Sequence, residues 1–109
     1  MVVDSNPTGH HRPGGPPIAC PCRHVTAHAN RLPVLFLAGD IFANRRPDPV
    51  LQQVEHFSNP TTSVNDAFKA VTRYWDRIMH PEQIISSLPQ AIATMLDPGD
   101  CGPAFIGLC

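Results

Sequence analysis

An α/β fold, a parallel sheet with flanking helices, is predicted by three features of this 109-residue chain. Val34-Leu35-Phe36-Leu37 is a contiguous apolar run, the pattern of a strand covered on both faces rather than one. Ile84, Leu88, Ala91, Ile92 and Met95 recur at helical spacing, a stripe suited to lie on a sheet. Ala104-Phe105-Ile106-Gly107-Leu108 is a second apolar run of strand length. Strand, short helices, strand, long helix, strand is the order of an α/β unit.

The bulk numbers leave room for one small domain. A net charge of -1 with 16% charged residues offers no basic surface beyond Arg45-Arg46, so neither nucleic acid nor an anionic membrane is an expected partner. No run approaches the 18 or so apolar residues of a spanning helix. The amino terminus has no apolar h-region behind a basic n-region, and a cytoplasmic location is expected. Cys20-x-Cys22 is too tight for an ordinary zinc knuckle. His10, His11, His24 and His28 surround it, but the cluster is read as incidental and no metal site is assigned.

Taken in order, residues 1–24 are dense in Pro and Gly, show neither helical nor strand periodicity, and are expected to be disordered. Val25 to Asn30 reads as the last turn of a helix that nothing upstream completes. The first strand runs between Asn30 and Asp40, with Pro33 at its start, where no ladder donor is lost. It is expected to be the central strand. Gly39-Asp40 closes it at the carboxyl end, where open α/β sheets place their ligands. A plain core strand with no ligand nearby is the alternative.

Asp48-Pro49 caps and opens a short helix through Glu55, which buries Val50, Leu51 and Val54 and leaves Gln52 or Gln53 to point toward a cleft. Ser63 caps a second short helix over Asn65 to Ala70. Thr72 to Ile78 is a strand near a sheet edge, with Tyr74, Asp76 and Ile78 on one face and Arg73, Trp75 and Arg77 on the other. His80-Pro81-Glu82 starts the longest helix, with proline at its first position and glutamate in its first turn. Pro89 within it removes one backbone bond and bends it. Asp97-Pro98-Gly99-Asp100 ends it before the last strand.

Four blocks carry a family resemblance. Leu32 to Asp40, Arg45 to Glu55, Ser63 to Phe68 and Arg73 to Ile78 together resemble the thiamine-diphosphate-dependent hydrolases of inositol breakdown, enzymes related to acetolactate synthase. The likeness runs from about His28 to Cys109. It implies that residues 25–109 are part of an amino-terminal, pyrimidine-binding domain of flavodoxin-like form. The implied reaction is hydrolytic opening of a carbon–carbon bond in a small polyhydroxylated cyclic dione by a homo-oligomeric enzyme using thiamine diphosphate and Mg2+.

The resemblance also marks departures. The family's activating glutamate lies well upstream of the first strand, yet the first glutamate here is Glu55. Gly99-Asp100-Cys101-Gly102 is not the family's Gly-Asp-Gly motif for diphosphate and magnesium. No catalytic or metal residue is therefore assigned, and this chain is expected to be inactive and to bind no cofactor alone. Gln52 and Gly39 are the candidate cofactor-binding positions; Arg45 and Arg46 could meet substrate or a neighbouring subunit. Where the family has a Gly-Pro-Gly loop, this chain has His10-His11-Arg12-Pro13-Gly14-Gly15. Codons for those residues, read one nucleotide later, can spell Thr-Thr-Gly-Pro-Gly, so the first segment is expected to be an out-of-frame reading. A small non-catalytic α/β interaction module, docking through an open sheet edge, is the competing reading.

Overall fold

The computed structural model describes residues 21–41, 43 and 58–109. Helix α1 spans Pro21–Ala29 and leads into strand β1, Leu35–Gly39. A 3-10 helix, Val64–Val71, precedes strand β2, Tyr74–Ile78. A 3-10 turn, Pro81–Gln83, opens helix α2, Ile84–Leu96, and strand β3, Ala104–Leu108, follows. Among the described residues the strands form one sheet in the order β1-β3-β2, parallel throughout. The α/β architecture expected from the sequence is therefore present.

The alternation of side chains along each strand splits the core in two. Leu35, Ile78, Ala104 and Ile106 face α2, which packs Ala91 and Met95 onto them, with Leu37, Tyr74, Ile84 and Leu88 at the margin. Phe36 and Phe105 face the other way and meet Phe68 of the 3-10 helix, flanked by Val34, Ala38, Val71 and Trp75. His24 of α1 is buried in this second layer, its ring 3.6 Å from that of Phe36 and 4.3 Å from that of Phe68. Both faces of the sheet are covered, as the contiguous apolar runs require.

Four details differ from the sequence reading. The strand in the middle is β3, not β1: a contiguous run reports cover above and below, not neighbours on either side. Helix α1 includes Pro21, so residues 21–24, expected to be disordered, are helical and Cys22-Arg23-His24 supplies the missing upstream turn. Ile92 does not lie on the sheet; it is 41% exposed, and Ser87 takes the buried place. At 100° per residue Ile92 stands well round the helix from the line Ser87, Ala91, Met95. Ser87 tolerates burial because its hydroxyl is hydrogen-bonded to Tyr74 Oη at 2.9 Å. The helix between Ser63 and Thr72 is of the tighter 3-10 form along its length. Pro89 does lie inside α2.

Helix α1 ends on Arg31, whose φ of 52° is in the left-handed region usually left to glycine. The turn is closed by Leu32 N–H donating to Ala27 O at 2.9 Å. It is tied to the β3 approach by Cys101 Sγ, 3.1 Å from Arg31 O.

Candidate functional site

The carboxyl ends of the three strands carry a network centred on Arg77, the fourth residue of β2. Its Nε donates to Asp40 Oδ2 at 2.8 Å, and its Nη2 donates to Asp66 Oδ2 at 2.7 Å and to Ser63 Oγ at 2.8 Å. Nη1 donates to Thr61 O at 3.0 Å. Asp40 lies just past β1 and Arg77 lies on β2, with β3 between them. The pair closes over Gly107, which stands opposite both Ala38 and Arg77 in the register. A Cβ at Gly107 would be 2.7 Å from Asp40 Oδ2, so the crossing requires glycine.

Asp66 belongs to a capping box. Ser63 Oγ accepts from Asn65 N–H, and Asp66 Oδ2 accepts from Ser63 N–H at 2.8 Å. Asp66 Oδ1 also pairs with Lys69 at 2.7 Å. Partial burial pushes the Asp66 carboxyl up, but the hydrogen bonds from Lys69, Ser63 N–H and Arg77 outweigh it and hold its pKa at about 2. For Arg77 burial favours loss of the proton, while Asp40 and Asp66 favour the cation and prevail, raising its pKa further. Asp40 is 0% exposed at its side chain, a buried carboxylate satisfied by Arg77 and by the Ile41 N–H at 2.8 Å.

A second chain of bonds fixes the end of β1. Trp75 Nε1 donates to Asn65 O at 3.1 Å, and Asn65 Nδ2 donates to Gly39 O at 2.8 Å. Lys69 Nζ stands 4.2 Å from the Trp75 ring centroid and Arg77 Cζ 5.0 Å, so two cations lie against the indole.

Of the residues singled out in the sequence, Gly39 lies at the carboxyl end of β1 with its carbonyl engaged by Asn65. Asp40 holds Arg77. Gln52, Arg45, Arg46 and the helix expected from Asp48 to Glu55 lie outside the described residues, as do residues 1–20. The sequence pattern does not join Arg77, Asp66 and Asn65 into a unit. The Ser63-x-x-Asp66 spacing is the signal that could have found part of it.

With Asp40 and Asp66 both bonded to Arg77, neither is placed as a general base. Among the described residues no three His, Cys, Asp or Glu side chains could share an ion. Gly99 to Gly102 precedes β3 at the opposite end of the sheet, and Asp100 there pairs with Arg73 at 3.1 Å. Glu82, the one described glutamate, is exposed ahead of α2. No described helix is long and apolar enough to cross a membrane.

Fold and network define a parallel α/β unit whose carboxyl edge is held by a partly buried arginine. The chain is similar in sequence to a segment of 3D-(3,5/4)-trihydroxycyclohexane-1,2-dione hydrolase. It is 52% identical over 84 residues to the protein of that name from Geobacillus thermodenitrificans, which is 77% of this chain and 13% of the relative. Against that of Listeria monocytogenes serotype 4b it is 56% identical over 81 residues, 74% of this chain and 13% of the relative. Against that of Bacillus cereus strain AH820 it is 52% identical over 84 residues, again 77% of this chain and 13% of the relative. The chain thus matches about an eighth of the length of these curated relatives. No family model matches it, and no solved structure does.

Proposed function

We propose that this chain is a piece of a hydrolase that opens the ring of trihydroxycyclohexane-1,2-dione by carbon–carbon bond hydrolysis in myo-inositol catabolism. Alone it is an inactive scaffold. The observation that carries this reading is 52% identity sustained over 84 residues, far beyond a shared short motif. In such an enzyme thiamine diphosphate supplies the carbanion chemistry when bound. The residues described here do not hold it, and their part is structural: Arg77, Asp40 and Asp66 fix the strand ends at the edge of the sheet where α/β ligands bind. Gly39 and Gln52 are the positions proposed to come nearest the cofactor, in a cytoplasmic homo-oligomer assembled with Mg2+.

The test is a chimera in which the matched segment of this chain replaces its counterpart in the Geobacillus thermodenitrificans relative. The expected result is a soluble protein that hydrolyses the dione with thiamine diphosphate and Mg2+, while this chain alone under the same conditions does not. A chimera that folds and binds the cofactor yet shows no turnover would overturn the reading in favour of a non-catalytic interaction module.

A further inference from the structure

We draw no further inference here: the strongest candidate, the exposed apolar line of Ile85, Pro89, Ile92 and Leu96 along helix α2, carries none because nothing in the structure shows what covers it.

Discussion

At the scale of single residues, Arg77 is the most connected side chain of the described structure. Four acceptors surround it, and one of them, the Asp40 carboxylate, has no contact with solvent. Arg77→Ala would leave that carboxylate buried without its cation. Loss of one partner of a buried pair costs about 3–5 kcal/mol, much of a small domain's stability. Urea denaturation is expected to show an unfolding free energy lowered by that amount, and a correspondingly lower midpoint. Arg77→Lys should lose less than the alanine variant but not recover the parent value, because an ammonium has no planar fork with which to reach Asp40 and Asp66 together. Gly107→Ala attacks the same pair from below. Its Cβ would meet Asp40 Oδ2 at 2.7 Å, and forced overpacking of this kind costs roughly 1–3 kcal/mol. If Gly107→Ala unfolds at the parent urea concentration, the Asp40–Arg77 crossing is looser than described.

At the scale of elements, the 3-10 helix Val64–Val71 is held at its start by charge. The Asp66 carboxyl, lowered from 3.8 to about 2 in the folded chain, takes up its proton more readily when unfolded. Its contribution is therefore complete above about pH 4 and lost as the pH falls through about 2. Allowing for solvent screening at a partly open site, that contribution is about 1 kcal/mol. Urea denaturation at pH 5 and at pH 2.5 is expected to show a smaller loss of stability on acidification in Asp66→Asn than in the parent chain. Equal losses would mean that another carboxylate governs the acid limb. This helix also shows what a sequence discloses and what it withholds. Ser63 as a cap and the short helix behind it follow from local spacing, and both are present. The partner of Asp66 across the sheet edge does not follow from any local pattern. Arg77 is eleven residues away along the chain, and the folding of β2 beside β3 brings it there. Likewise the apolar stripe of α2 is legible, but it includes Ile92, which lies away from the sheet. Ile92 is apolar like its neighbours, and a hydrophobic pattern alone does not say which of two lines meets the sheet.

At the scale of the whole molecule, three strands of α/β type and both covered faces could be read from runs and periods, since burial above and below a strand leaves a mark in composition. Lateral order leaves none. The run Val34–Leu37 looks central by its apolar content, and Ala104–Leu108 looks terminal by its place in the chain, yet the latter is inserted between the former and β2. Ala104, Phe105 and Ile106 are each no more than 1% exposed, and their strand has a partner on both sides. Amide hydrogen exchange is expected to follow: the β3 amides exchange slowest and report global unfolding, while those of β1 and β2 exchange through smaller openings. Slower exchange in β1 than in β3 would require another strand on its outer side.

Gly102 lies two residues before β3 and Gly107 is its fourth residue; Arg73 crosses the first, and the Asp40–Arg77 pair crosses the second. A Cβ on Gly102 would fall 2.5 Å from Arg73 Cγ, as one on Gly107 would strike Asp40 where it receives Arg77. Phe105 shares the face of Gly107. Were β2 to slide along β3 by two residues, the shift that keeps every side chain on its own face, Arg77 would come to lie over Phe105 or past the end of the strand. Each glycine is a notch and each arginine a tooth, the arginines four residues apart and the glycines five. Among the described residues β2 has one hydrogen-bonded neighbour, and it is keyed to that neighbour at two points.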